Sequence, residues 1–303
     1  MKSIQEFNEK FSSEDACVEY LTARRFADGV YCPYCGCKHV YSFSDNKTYK
    51  CHDCRLKFTV RTGTIFGESK LSLYKWFLAI YLLSASRKGI SSVQLAEMIG
   101  VTQKTAWFLN HRIREVYGQN KAMLSGKMEI DETYVGGKEK NKPVNKKTPG
   151  NQGRSTKTKA PVVGIVERKG NVVAEAVDSV NTETVRDIID RNTQKKGRKL
   201  YSDEFAVYNN IVKPGNRVNH GAGEYVRGDA STNCAESFWS IFKRGYYGIY
   251  HLMSHQHLQR YVNEFVARFN LRDGDAGDRF AAWFSTTNCY LSYNRLTGRE
   301  TNA

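Results

Sequence analysis

Two identical cysteine pairs, Cys32-x-x-Cys35 and Cys51-x-x-Cys54, separated by fifteen residues, limit what this chain can fold into more than any other feature. Each pair suits a tight knuckle, and together they offer four thiolates to one tetrahedral Zn²⁺. The runs that hold them, Tyr31-Cys32-Pro33-Tyr34-Cys35-Gly36 and Lys50-Cys51-His52-Asp53-Cys54, are short and strand-like, which reads as a zinc ribbon. Redox-active or merely buried cysteines are the plain alternative, and Cys37 and His52 are near enough to substitute as ligands with poorer spacing. Cys17, Cys234 and Cys289 are most simply small buried residues. The stretch from Tyr31 to Val60 has too little apolar content to fold alone, so metal binding would supply its folding energy. Ahead of it, Ile4 to Arg25 has helical spacing through Phe7, Phe11, Cys17, Val18 and Leu21, a structural cover. Residues 1–62 are thus expected to be an N-terminal helix and a ribbon.

Lys and Arg number 46 against 31 Asp and Glu, a formal net charge of +15. That excess says nothing about fold but favours a polyanionic partner, nucleic acid before a membrane surface. The opening MKSIQEFNEK has no apolar core of a signal peptide, and the most apolar window, Trp76 to Ala85, is too short to span a bilayer. The expectation is a soluble cytoplasmic protein, associated with the nucleoid and not with a membrane. At 303 residues the chain has room for about two domains.

Residues 63–123 read as helical. Leu73, Trp76, Phe77, Ile80, Tyr81 and Leu83 give a buried helix between Ser69 and Ser86. In SSVQLAEMIGVTQKTAWFLNHRIREVY, Ser91 or Ser92 can cap a helix through Ile99, Gly100 makes the turn, and Thr102 can cap a second helix to about Tyr117. This is a helix-turn-helix pattern, with Gln103, Lys104 and Thr105 at the exposed start of the second helix and Arg112 and Arg114 as phosphate contacts. An ordinary helical hairpin is the competing reading; the ribbon and the basic charge favour DNA binding.

From residue 124 to 303 the pattern becomes α/β. Met128 to Val135 alternates as a strand with Asp131 and Thr133 on one face. A basic loop, residues 136–160, follows with Lys138, Lys140, Lys146 and Lys147, either a solubilising insertion or a phosphate-contacting arm. Pro161 to Arg168 and Asn171 to Val180 form a hairpin turning at Lys169-Gly170, and Asn181 to Gln194 is a helix. Lys199 to Ser202 is a short strand that delivers Asp203. Strand, hairpin, helix, strand, helix fits a ribonuclease H-like α/β layer.

The last of those helices lies in Ser231 to Tyr250, STNCAESFWSIFKRGYYGIY. Phe238, Ile241 and Phe242 mark one side; Asn233, Glu236, Ser240 and Lys243 mark the other, Glu236 and Lys243 being almost two turns apart. A solvated face is the plain reading of such a pair. Asp131 and Asp203 change that weighting, because two strands and a helix would bring three acids to one point. Carboxylates suit a hard divalent ion, Mg²⁺ or Mn²⁺, and two such ions can activate an attacking oxygen and stabilise a leaving one in phosphoryl transfer. Asp203 and Asp229 can equally be turn residues or caps, and Glu129, Glu132 and Glu204 read as solvent-facing.

The motifs CPYCG, CHDC, KFTVRTGTIF, GISSVQLAEMIGVTQKTAWFLNHRIRE, EIDETYVGG, LYSDE, STNCAESFWSIFKRGYYGIYH and HLQRYVNEFVARFN together make this sequence resemble a known group. It is similar to the insertion-sequence DDE transposases with an N-terminal zinc ribbon, the ISXO-like group, over Tyr31 to about Arg272. The resemblance implies cutting and joining of double-stranded DNA at the terminal inverted repeats of a mobile element, by a homo-oligomer acting on target DNA. It makes Asp131, Asp203 and Glu236 the three acids and Lys243 the trailing basic residue. Some members have Asn as the third residue, so Asn233 stands beside Glu236 as a candidate. A domesticated DNA-binding protein without turnover, and a general nuclease, are the competing functions.

Overall fold

The apolar spacing of residues 4–25 resolves into two helices rather than one. Ser3 Oγ accepts the Glu6 N–H at the head of α1 (Ile4–Lys10), and Ser13 Oγ accepts the Ala16 N–H at the head of α2 (Glu14–Arg25). The second capping serine, not the hydrophobic pattern, breaks the run. The computed structural model of the chain describes residues 1–119, 122–137, 141–150, 155–285 and 289–299. Contacts divide it into two units, Met1–Asn120 with Asp273–Ala303, and Lys121–Arg272.

In the first unit, β1 (Val40–Ser42), β2 (Thr48–Cys51) and β3 (Lys57–Thr59) form an antiparallel sheet in that order. Helix α3 (Leu73–Ala85) starts on two caps: Ser72 Oγ takes the Lys75 N–H, and the Glu14 carboxylate, from α2, takes those of Leu73 and Tyr74 at 2.8 and 3.1 Å. Helices α4 (Ser92–Ile99) and α5 (Gln103–Tyr117) meet at Gly100, whose φ of +62° is a left-handed C-cap that a side chain would strain. Thr102 Oγ1 then caps α5 at the Thr105 N–H.

The second unit carries a four-stranded sheet in the order β6-β5-β4-β7. Strands β4 (Lys127–Val135), β5 (Ala160–Glu167) and β6 (Val172–Ala176) are antiparallel neighbours; β7 (Lys199–Tyr201) runs parallel to β4, reached through α6 (Thr182–Asn192). Alternation along the strands assigns the faces. Met128, Ile130, Val163 and Ile165 pack with Val185, Ile188 and Ile189 of α6. Val162, Val166 and Val172 face the other way, against Phe238 and Phe242 of α7 (Asn233–Gly245) and Val262 and Phe265 of α8 (Leu258–Asn270). A two-strand hairpin, β8 (Val226–Arg227) and β9 (Ala230–Ser231), leads into α7. From β4 to α7 the element order is the one the sequence pattern gives, with the β8–β9 hairpin added before α7. Among the described residues no helix is long and apolar enough to cross a membrane.

The expected boundaries, 1–62, 63–123 and 124–303, are not those of the contacts. Phe58 and Val60 of the ribbon share one core with Ile65, Phe66, Leu73 and Phe77, so no division falls at residue 62. The tail also leaves the second unit. Phe280 of α9 (Ala276–Ala282), with Trp283 and Phe284, packs into the aromatic core of the first, Phe284 lying 4.9 Å from Phe77 and Phe280 5.5 Å from Phe11 between ring centroids. Helix α10 (Tyr293–Thr297) belongs there too, with Leu296 fully buried and Tyr293 edge-on to Phe108 of α5. Burial of large aromatic rings outweighs sequence adjacency.

Candidate active site

The pairing of β4 with β7 matches Glu129 to Tyr201, and two residues further along each chain stand Asp131 and Asp203. Because the strands are parallel, that equal step past the last paired residues sends both acids toward the same end of the sheet, Asp203 just beyond the end of β7 and close enough for its charge to act on Asp131. Asp203 is buried and its Oδ1 accepts the Phe205 N–H at 3.0 Å; Asp131 is half-buried and accepts the Glu132 N–H at 2.8 Å.

Helix α7 reaches the same place because of a glycine. Gly164 is the β5 partner of Asp131, and a Cβ there would stand 2.6 Å from Cζ2 of Trp239. The indole therefore lies directly on bare backbone beside Asp131, which lets α7 approach closely enough for its first turn to carry Glu236 to the acids. A glycine inside the apolar run APVVGIVE is the sequence signal for this approach. Glu236 Oε1 accepts the Thr232 hydroxyl at 3.3 Å and lies 3.6 Å from His220 Nε2, which is itself 3.2 Å from Thr232 Oγ1.

Burial, then the negative charges of Glu132, Asp203 and Glu236, push the Asp131 carboxyl up to about 8. A cluster of acids that raises the proton affinity of one of its members is short of positive charge, and an all-oxygen donor set of this kind suits a hard divalent cation. Among the described residues the four ribbon cysteines are the one group of three or more such ligands whose donor atoms all lie within 4.8 Å of one another, so the acids stand further apart than a closed single-ion site.

An open groove of 730 Å³ begins at this cluster, lined by Asp131, Glu236, Trp239, Ser240, Lys243, Arg244, Tyr247 and Gly248. Lys243 and Arg244 give it positive walls, and Tyr247 is exposed. The lining includes Glu236 and not Asn233, which is exposed at the first position of α7. Sequence reasoning singled out Lys243 but passed over Trp239, Arg244 and Tyr247, which share its helix and the π-helical turn Tyr246–Tyr250 after it.

Two acids near the cluster correct the sequence reading. Glu129 and Glu132, expected to face solvent, are 0% and 8% exposed. Neighbouring elements cover β4 on one face at Glu129 and on the other at Glu132, while Asp131 beside them opens on the groove. On the Glu132 face, Tyr208 of the 3-10 turn Ala206–Asn210 donates its hydroxyl to Glu132 Oε2 at 2.6 Å. Glu204 is exposed, as expected.

In the ribbon, Cys32 and Cys54 Sγ are 3.6 Å apart and Cys35 and Cys51 Sγ 3.5 Å. Zn–S bonds of about 2.3 Å give a tetrahedron with edges of about 3.8 Å, so the four free thiols fit one Zn²⁺ with small adjustment. The alternative ligands are otherwise engaged: Cys37 Sγ accepts the His39 N–H, and His52 stacks on His39 with its Nδ1 3.0 Å from Asp53.

The residues expected to meet DNA divide. Gln103 and Lys104 are exposed and Thr105 half-buried at the start of α5; Gln103 donates to Ser92 Oγ and the Lys104 ammonium sits over the Tyr293 ring. Arg112 and Arg114 are corrections, at 3% and 2% exposure. Arg112 Nη2 donates to Gly67 O at 2.7 Å, and its guanidinium lies against Trp76, Phe108 and Tyr290. The second half of α5 is enclosed on all sides, so these arginines serve the core. Lys146 and Lys147 are exposed; Lys138 and Lys140 lie outside the described residues.

Residues 123–270 match the ISXO2-like transposase domain and residues 12–57 the transposase zinc-ribbon domain. A protein of the transposable element ISH50 from Halobacterium salinarum is 31% identical over 247 residues, 77% of this chain and 83% of that protein. A chain of the Mos1 strand transfer complex covers 71% of this chain and 78% of its own at 15% identity, with a TM-score of 0.29, a likeness too weak to define the fold. The two family matches and the ISH50 relative define a transposase with a zinc-ribbon domain. The chain belongs to the ISXO2-like transposase family.

Proposed function

We propose that this protein is an active DDE transposase, a polynucleotidyl transferase that binds the terminal inverted repeats of its element and cuts and joins double-stranded DNA. The observation that carries the reading is the convergence of Asp131, Asp203 and Glu236 from two adjacent parallel strands and one helix, at the head of a groove with basic walls. That arrangement is the one a ribonuclease H-like layer presents, and the mixed sheet with helices on both faces supports it.

Asp131, Asp203 and Glu236 would hold Mg²⁺ or Mn²⁺, and the bound metal would supply Lewis-acid stabilisation of the attacking and leaving oxygens. The chain's own residues do the remaining work. Lys243 and Arg244 draw phosphates into the groove and neutralise charge near the acids. Gly164 and Trp239 hold α7 against β5 and so fix where Glu236 stands. The Zn²⁺-bound ribbon and the α4–α5 pair, read as a helix-turn-helix, bind the element's ends, with Gln103, Lys104 and Thr105 facing bases. Lys146 and Lys147 add sequence-independent phosphate contacts.

The test is metal-dependent strand cleavage and strand transfer on a duplex carrying the element's own end. Asp131→Asn, Asp203→Asn and Glu236→Gln should each abolish both steps while DNA binding persists, and their combination should add little, because residues acting as one unit are not additive. Joined strands as product distinguish transposition from plain nuclease action, and DNA binding without either product would leave a domesticated binding protein. Full activity of Glu236→Gln with loss in Asn233→Ala would transfer the third position to Asn233.

A further inference from the structure

Helix α7 begins at Asn233, and its N-cap residue Thr232 makes no capping bond of its own; the Thr232 hydroxyl is turned to Glu236 and His220 instead. The helix start is nevertheless satisfied. Glu129, fully buried on β4, accepts the Cys234 N–H at 2.7 Å and the Ala235 N–H at 3.1 Å through Oε2. Its other oxygen accepts the Ser231 hydroxyl at 3.1 Å and Arg168 Nε at 2.8 Å. Arg168 extends the hold to the segment that enters the helix: Nη1 donates to Asp229 O at 2.8 Å, and Nη2 to Ser231 Oγ at 2.9 Å.

We infer that Glu129 is a positioning residue for the metal site, a helix cap supplied by the strand that also carries Asp131. The inference rests on the reading of Asp131 and Glu236 as metal ligands. Glu129 and Asp131 are two residues apart on β4 and share a face, while Cys234 and Ala235 lie in the same turn of α7 as Glu236. One carboxylate thus ties the first acid's strand to the third acid's helix through two backbone amides. A negative charge at a helix N-terminus is favourable in itself, and Arg168 compensates the cost of burying it. The rigid link sets the distance between Asp131 and Glu236 before any cation arrives. The bland alternative is that Glu129 and Arg168 are only a buried ion pair that stabilises the unit.

The experiment uses the full chain loaded with zinc and measures Mn²⁺ binding by calorimetry without DNA, alongside amide exchange at Cys234 and Ala235. Glu129→Gln retains one acceptor but loses the charge. It should speed exchange at those two amides and weaken Mn²⁺ binding about 10- to 100-fold, the usual effect of removing a partner that orients a metal ligand. Cleavage should recover toward wild type at high Mn²⁺, a split that loss of folded protein would not give. Ser231→Ala, which removes a single bond to Glu129, should shift Mn²⁺ binding in the same direction by less and covers the case in which Glu129→Gln does not fold. Wild-type Mn²⁺ binding in both variants, or wild-type amide exchange in a folded Glu129→Gln, overturns the inference. Glu236→Gln is the control for the reading beneath it: unchanged Mn²⁺ binding there would refute the metal site itself, whereas loss there with no effect at Glu129 refutes only the positioning role.

Discussion

Single residues carry the chemistry here, and Asp131 shows how much depends on its surroundings. Its carboxyl is held at about 8 against an ordinary 3.8, so the metal-free folded protein keeps a proton that the unfolded chain gives up. The sign follows: where the folded state binds more protons, stability falls as pH rises, here between about 4 and about 8. Thermal midpoints of metal-free protein should therefore decline across that window, and Mg²⁺ should restore them most at its upper end. Asp131→Asn should flatten the decline and abolish the Mg²⁺ response; a wild-type profile in that variant would remove the link. Gly164 offers a second test at this scale. Gly164→Ala puts a methyl 2.6 Å from Trp239, and overpacking of that sort costs about 1–3 kcal/mol. We expect a lower midpoint for the sheet unit and weaker cleavage, with zinc content unchanged. Equal stability and full cleavage would mean that the indole simply moves aside.

At the scale of elements, the ribbon is a folding device. Its three strands have only three to four residues each, too short to stand without the metal. Cys32→Ser or Cys54→Ser should release one equivalent of zinc and loosen the ribbon while the sheet of the second unit survives, as read by metal analysis and amide exchange. Stoichiometric zinc in both variants would contradict the assignment. Helix starts are the other recurrent element. Where α3 begins, the Glu14 carboxylate takes two backbone N–H groups across sixty residues of sequence; Glu129 does the same for α7 from more than a hundred residues away. Glu14→Ala should cost about 1 kcal/mol, a cap's ordinary worth, and the loss should appear as faster exchange at Leu73 and Tyr74. Local capping hydroxyls were legible in the sequence, at Ser91 or Ser92 and at Thr102, because such bonds reach only three residues; the structure uses Ser91 and Thr102. The distant carboxylate caps were not, since no spacing rule connects a strand residue to a helix it meets only after folding.

For the whole molecule, the tail gives one prediction and the basic loop another. A chain ending at Arg272 should lose Phe280, Trp283 and Phe284 from the aromatic core of the first unit, and so destabilise residues 1–120 rather than the sheet it follows in sequence. Amide exchange accelerated in the sheet instead would reverse that assignment. Neutralising Lys146 and Lys147 together should weaken binding to all DNA sequences alike and lower the salt slope by up to about 0.9 per contact. Replacing Gln103 or Lys104 should instead change preference among sequences, and equal losses on specific and random DNA for both sets would remove the helix-turn-helix reading. The sequence by itself determined the cysteine tetrad, the order of elements from β4 to α7 apart from the β8–β9 hairpin, and the acids that end up within electrostatic reach of one another. These follow from spacing and periodicity, which are local properties of the chain. Only the tertiary structure decided that Glu129, Glu132, Arg112 and Arg114 are interior, and that residues 273–303 join the N-terminal core. Periodicity sorts side chains onto faces but does not say how many faces are covered; at Glu129 and Glu132 of β4 and on the second half of α5, neighbours distant in sequence cover both.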